Sequence, residues 1–400
     1  MILKICGSEW ENASRDKREL SVCRELGQQV LVLAKGAPGD KGRIDSVEGF
    51  EVRRYSTRPF GTKCPAFINR VASLFTWAAY TRRELKPDII SGHDLIGLLI
   101  GWMSNIGRKE KAKLIYDSHE FELGRHANRN KLQLFFVKHL ERFLMKRCAF
   151  SIMVNDCIAD EVQKIHKLAQ RPIVVRSTPE KWAIDQGEIQ MVRSEFYAAF
   201  SNENPILMYH GAVTPGRGIE KLLEVVKAMP EVNALILGNG SEDYLNSLKA
   251  LTEEYGIMPR VLFHPAVPIT ELRKYVGAAD LGMVTIPAVA KSYYYMLPNK
   301  FFENIQSETP IIGSNFPEIS RLVKQYGIGL VCDPDSTEDI CACVRRMLTD
   351  KEFYDACKKN TLKAKEELCW EKEKQILKKA YQRCIQDEDT ANQGVRYADQ

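Results

Sequence analysis

Short apolar runs alternate with amphipathic stretches along almost the whole sequence, and they do so in two successive series. In the first, residues 2–6, 29–34, 88–91, 113–116, 150–154 and 172–175 read as strands. Helical patterns at 14–26, 66–85, 95–106, 131–146 and 158–168 separate them. The second series has strands at 206–209, 234–237, 260–263, 281–284, 310–313 and 329–331, again with helical patterns between. Strands this apolar must be buried on both faces, which implies an α/β chain with parallel, doubly wound sheets covered by helices. A single core rarely serves a chain of 400 residues, so two Rossmann-like domains are expected. The break falls near Ser177-Thr178-Pro179-Glu180, giving domains at 1–178 and 179–368. A helix over 369–387 is expected to lie back on the first domain, followed by a loose polar tail at 388–400. Open sheets bind ligands beyond the carboxyl ends of their strands, so the site is sought in a crevice between the two domains.

Charge and cysteine usage narrow the chemistry. Residues 1–200 hold 33 Lys/Arg against 24 Asp/Glu, and the remainder holds 24 against 28. A positive first half suits an anionic partner. Nucleic acid is not expected, because no recognition helix, zinc finger or aromatic-basic sheet signature is present. Eleven cysteines without a Cys-x-x-Cys pair read as reduced thiols in a cytoplasmic chain, with no metal site. Cys341 and Cys343 read as a buried helix face. The longest apolar run, residues 95–103, is about half of what spans a bilayer. No signal peptide is read at the start, where residues 1–6 form a strand pattern. Arg53, Arg54, Arg58, Phe60, Lys63, Phe67 and Arg70 mix cations with aromatics around a loop-to-helix entry. That mixture fits peripheral attachment to the anionic inner face of a membrane, or equally a solvated face with Phe67 in the core.

Three stretches carry the chemistry. In Met296-Leu297-Pro298-Asn299-Lys300-Phe301-Phe302-Glu303, Pro298 suits the first turn of a helix. The unpaired N–H groups at Asn299 and Lys300 then form an anion site, to which Lys300 adds its charge. Glu303, one turn on, can accept a pair of hydroxyl hydrogen bonds, as a ribose offers. In Tyr209-His210-Gly211-Ala212-Val213-Thr214-Pro215-Gly216-Arg217-Gly218, a strand ends at a glycine and a helix begins near Arg217, whose guanidinium can fork onto phosphate. In the first half, Tyr116-Asp117-Ser118-His119-Glu120 runs from a strand into a polar turn. Gly92-His93-Asp94 repeats that design upstream, and either histidine would also serve as a packing residue. No Gly-x-Gly-x-x-Gly follows a predicted strand and no Walker loop occurs, which argues against dehydrogenases and P-loop enzymes. No serine elbow, Cys/His pair or histidine cluster of metal-ligand spacing is legible either.

With Pro-Asn-x-x-x-Glu, an Arg-Gly helix start and a Tyr-Asp-Ser-His-Glu turn, the chain resembles the retaining glycosyltransferases of family 4, which have the two-domain GT-B fold. The resemblance extends to 14–19, Val154-Asn155-Asp156 and Phe316-Pro317-Glu318-Ile319. It implies transfer of a sugar from a UDP- or GDP-sugar donor to a glycan, lipid-linked or other acceptor, as in cell-surface polysaccharide or glycoconjugate synthesis, with no cofactor or metal. Carried over position by position, Glu303 matches the ribose-binding glutamate and Arg217 a diphosphate-binding cation. His119 matches the first-domain histidine that approaches the donor sugar. Pro298 and Asn299 match a loop that contacts phosphates, with Gly211 and Leu297 beside them in the donor set. His119, Arg217 and Lys300 form the catalytic set, and Gly7, His93 and Glu120 are assigned to the acceptor side. Two positions depart from the family pattern. Tyr295 stands where a second glutamate often reaches the transferred sugar, and Ala212 replaces another diphosphate-binding arginine. Those departures keep open a non-catalytic partner subunit, and a nucleotide-sugar epimerase, which would share the architecture and donor site, is the other alternative.

Overall fold

The computed structural model describes residues 1–7, 9–125 and 129–396, with no side chains for Asn12 or 387–396. Ser8, which follows Gly7, and the end of the expected tail, 397–400, lie outside the described residues. The chain divides into two compact units, Met1–Arg176 with Lys374–Gln400, and Ser177–Glu373.

The first unit is built on an eight-stranded sheet: β1 (Ile2–Cys6), β2 (Val30–Gly36), β3 (Lys41–Val47), β4 (Phe50–Ser56), β5 (Ile89–His93), β6 (Lys113–Asp117), β7 (Cys148–Met153) and β8 (Ile173–Val174). Their order is β3-β4-β2-β1-β5-β6-β7-β8, and every pairing is parallel except β3 with β4. The winding reverses between β1 and β5, which makes the carboxyl ends of those strands the switch point. Close packing there depends on Gly92, where an added Cβ would lie 2.3 Å from the Leu98 backbone nitrogen.

The hairpin β3–β4 is absent from the sequence reading. Arg53 and Arg54, taken there as cations at a loop-to-helix entry, lie inside β4. Arg54 is buried and ion-paired with Glu11 and Asp45, and Arg53 pairs with Glu51 at 2.5 Å. Arg54 is therefore not available to a membrane, while Arg53 is only half-buried. Phe67, by contrast, stands 77% exposed at the start of the helix Ala66–Tyr80 and is no part of the core.

The second unit has six parallel strands, β9 (Ile206–His210), β10 (Asn233–Leu237), β11 (Val261–His264), β12 (Leu281–Val284), β13 (Ile311–Ser314) and β14 (Gly329–Cys332). Their order is β11-β10-β9-β12-β13-β14, with the switch point between β9 and β12. Alternate residues of β10 serve opposite faces. Ala234 and Ile236 join Leu222, Val226 and Ile340 in one cluster, while Leu235 and Leu237 join Phe196, Met208 and Val276 in the other. Each such side chain contributes roughly 1.5–3 kcal/mol on burial, so the double-sided core fixes where the strand ends emerge.

The last helix spans Trp370–Arg396, past the expected end at residue 387, and from Lys374 onward it belongs to the first unit. Tyr381 is its anchor, fully buried, edge-on to Phe150 and hydrogen-bonded to Glu19.

Candidate active site

In the second unit the expected donor residues converge at the β9 end. The strand finishes at His210, and Gly211 follows with φ 116, a conformation that suits glycine. The next loop closes tightly over it, since a Cβ on Gly238 would sit 1.8 Å from the Gly211 carbonyl oxygen. The helix Asn299–Gln306 points its first turn at this loop, with Pro298 just before the first helical residue rather than inside it. Lys300 lies on the inward side. Its ammonium is 3.4 Å from the centroid of the Tyr209 ring, and an added Gly211 Cβ would be 3.9 Å from Nζ.

That ammonium is buried and, among the described residues, has no hydrogen-bond partner. Burial, with Arg217 nearby, holds its pKa well below the ordinary lysine value, only partly offset by Glu303. The sequence reading gave Lys300 a full, independent charge. The structure sets that charge against burial, because desolvation disfavours the charged form and a bound anion would favour it. Arg217 sits on the turn before the helix Ile219–Ala228, its guanidinium 5.4 Å from the Tyr293 ring centroid. Glu303 accepts a hydrogen bond from Nε2 of His210 at 3.0 Å. Sequence reasoning named the motif containing His210 but gave it no role. Asn299 is exposed, Leu297 and Tyr295 are half-buried, and the Lys291 ammonium lies 5.7 Å from the Tyr295 ring centroid.

In the first unit a charged network fills the switch point. Lys4 lies in the middle of β1, wholly buried, with Nζ 2.8 Å from Asp16, 3.0 Å from Asp117 and 2.5 Å from Glu19. Arg15 adds a second cation on Asp117 at 3.0 Å. Breaking one partner out of such a buried set typically costs about 3–5 kcal/mol, because the remaining charges are left uncompensated. His119 borders the network, with Nε2 3.0 Å from Asp117 and 3.4 Å from Asp16. His93 bonds Asp16 through Nδ1 at 2.7 Å, and its ring centroid is 3.9 Å from that of His119. Both histidines are therefore site residues that also have partners. Asp94 holds the turn in a left-handed conformation, φ 55, while accepting the His119 N–H and an Arg125 N–H. Strain of this kind costs on the order of 1–3 kcal/mol and persists where the surroundings enforce it.

The other acceptor-side residues are less engaged. Gly7 is exposed with nothing within 4 Å of an added Cβ, so no close backbone approach demands glycine there. Glu120 is half exposed and 3.7 Å from Arg125.

The sequence showed no histidine cluster of metal-ligand spacing, yet among the described residues folding brings together two mixed groups, Cys6, Asp16 and His93, and Asp16, Asp117 and His119. Their members meet only across the strand order, which linear spacing does not reveal. Neither set is suited to a cation as it stands, because the Lys4 ammonium already bonds both of these carboxylates.

A model of "Glycosyl transferases group 1" matches residues 194–364, and one of "Glycosyltransferase Family 4" matches 20–178. An uncharacterised glycosyltransferase of Methanocaldococcus jannaschii is 23% identical over 389 residues, covering 90% of this chain and 93% of its own. Among solved structures, sucrose-phosphate synthase from Thermosynechococcus elongatus superposes with a TM-score of 0.76 at 15% identity, covering 97% of this chain and 100% of that one. Anabaena HepE in complex with UDP-glucose gives 0.72 at 13% identity, covering 96% and 100%. The shared architecture is the GT-B fold.

Proposed function

Since the chain belongs to the group 1, family 4 glycosyltransferases, we propose that it transfers a sugar from a UDP- or GDP-sugar to a glycan or lipid-linked acceptor, with retention at the anomeric carbon and without a metal. The observation that carries this reading is the Lys300 ammonium, buried without a partner beside Arg217 and Gly211. A buried amine with no hydrogen-bond partner among the described residues marks where an anionic or polar group fits. A nucleoside diphosphate supplies the anion, and its ribose supplies the hydroxyls that Glu303 can accept. The barrier to transfer is charge separation between a sugar becoming cationic and a departing diphosphate. Lys300, Arg217 and the helix amides stabilise that leaving group, a task of fixed dipoles and cations.

In the first unit the network around His119 is assigned to the sugar and acceptor. The uridine nucleotide held by HepE makes UDP the first probe. The cationic, aromatic segment at 58–70 supports weak attachment to an anionic membrane face, where Arg58, Lys63 and Phe60 are exposed alongside Phe67. Tyr295 and Ala212 favour the second reading, a subunit that binds nucleotide without turnover.

Calorimetry with UDP and GDP in buffers of different ionisation enthalpy tests the site. Binding accompanied by proton uptake is expected, because a bound diphosphate favours the charged form of Lys300 that burial disfavours. Absence of binding to either nucleotide would overturn the proposal. Turnover of the nucleotide sugar in excess chelator separates the metal-free reading from a metal-dependent one.

A further inference from the structure

We propose that the outward face of the helix Lys131–Met145 docks on an anionic lipid bilayer. The inference deepens the membrane attachment proposed above and needs no part of the transfer chemistry.

The helix turns Leu144, Met145 and Glu141 inward. On its other side Leu132, Phe135, Phe136 and Phe143 are 64%, 54%, 62% and 38% exposed. At about 100° per residue these four fall within one stripe, roughly opposite the buried face. Solvent-facing stripes of packed helices are ordinarily polar, so a helix that is apolar on both sides needs something to cover the outer one.

Charge selects the cover. Lys131, Lys138 and Arg142 recur along one flank of the stripe, Lys146 and Arg147 close its end, and the Arg147 guanidinium lies 3.6 Å over the Phe143 ring. Glu141, the only carboxylate between 130 and 147, is buried and accepts hydrogen bonds from Tyr116 and His166. A second copy of this face would set like charges against each other, whereas anionic headgroups complement them. Cations flanking exposed Phe and Leu are what an interfacial helix requires. The surface also extends sideways. Trp102 of the helix Asp94–Ser104 meets Phe143 edge-on at 5.2 Å. The same helix packs against Ala66–Tyr80, where Phe67 and Phe75 are 77% and 61% exposed around Arg70.

The test is co-sedimentation of the full chain with vesicles of equimolar phosphatidylglycerol and phosphatidylcholine, beside vesicles of phosphatidylcholine alone. Binding to the anionic vesicles only, weakened at about 0.5 M salt, is expected. Phe135→Ser with Phe136→Ser should lower the partition coefficient roughly tenfold or more. Lys131→Glu with Lys138→Glu, both exposed and tolerant of change, should lower it by about fivefold per cation at low salt. An unchanged circular-dichroism spectrum and thermal unfolding midpoint in each variant certify its fold. If the unaltered chain ignores anionic vesicles, both this inference and the membrane attachment fall. If it binds and both variants bind equally well, the helix assignment alone falls. A concentration-dependent dimer, seen by light scattering and lost in the Phe135/Phe136 variant, would also overturn it by assigning the stripe to a second copy.

Discussion

His119 and Lys300 are opposite solutions to burying a charge. For Lys300, burial prevails over the nearby Glu303 and holds the pKa well below the ordinary lysine value. For His119, burial also opposes the charge, but Asp117 and Asp16 outweigh it and push the pKa up to about 9. An imidazole protonated at neutral pH has no lone pair with which to take a proton. In the proposed reaction His119 is therefore assigned the part of a hydrogen-bond donor and a positive charge, not of a general base. The folded pKa lies above the ordinary histidine value of about 6.5. Its contribution to stability is thus complete below about pH 6.5 and disappears as pH rises through 9. A histidine-resolved NMR titration should place the His119 midpoint near 9, and Asp16→Asn should move it down. A midpoint at the ordinary value in the unaltered protein would mean that the carboxylate pair does not act on it.

The last helix shows how a buried polar contact and a surface ion pair on one element differ in weight. Its surface ion pair, Lys374 with Glu25 at 2.6 Å, is part-exposed on both sides and is worth at most about 1 kcal/mol. Tyr381 donates into the buried network at Glu19, the carboxylate that also receives Lys4 and Ser91. A hydrogen bond to a charged group contributes about 1.5–3 kcal/mol, so Tyr381→Phe should lower stability by about that amount in urea unfolding, whereas Lys374→Ala should change little. Equal effects would mean that the buried bond carries no special weight. These elements differ in how openly the sequence announces them. Buried parallel strands read as apolar runs, and the strands at β1, β5, β6, β12 and β14 were placed within a few residues for that reason. The hairpin β3–β4 was missed because an edge strand carries charges, as Lys41, Arg43 and Asp45 do here. At the site, strand ends and helix starts were legible as Gly211, Arg217, Lys300, Glu303 and His119. Lys4, Asp16 and His210 were not, since their roles arise from neighbours far away in the chain. A lysine in the middle of the otherwise apolar strand 2–6 was the one available signal.

Each unit has its own switch point, its own charged groups and its own side of the proposed chemistry, and that separation can be measured. Arg217 and Lys300 should each, on replacement by Ala, weaken binding of the nucleoside diphosphate as well as slow transfer. A lost hydrogen bond to a charged group corresponds to roughly ten- to more than a hundredfold in affinity. Glu303→Gln should weaken the nucleoside monophosphate too, since the ribose is common to both ligands, and should also release His210 from its carboxylate partner. His119→Ala should leave nucleotide affinity nearly intact and reduce turnover, because His119 is carried by the other unit and its partners are Asp16 and Asp117. Titrating the four variants with mono- and diphosphate, beside a turnover assay, sorts them into diphosphate binders, a ribose binder and a catalytic residue. If His119→Ala loses nucleotide affinity as severely as Arg217→Ala, or if Glu303→Gln binds the monophosphate normally, the assignment of donor binding to the second unit through these residues is wrong.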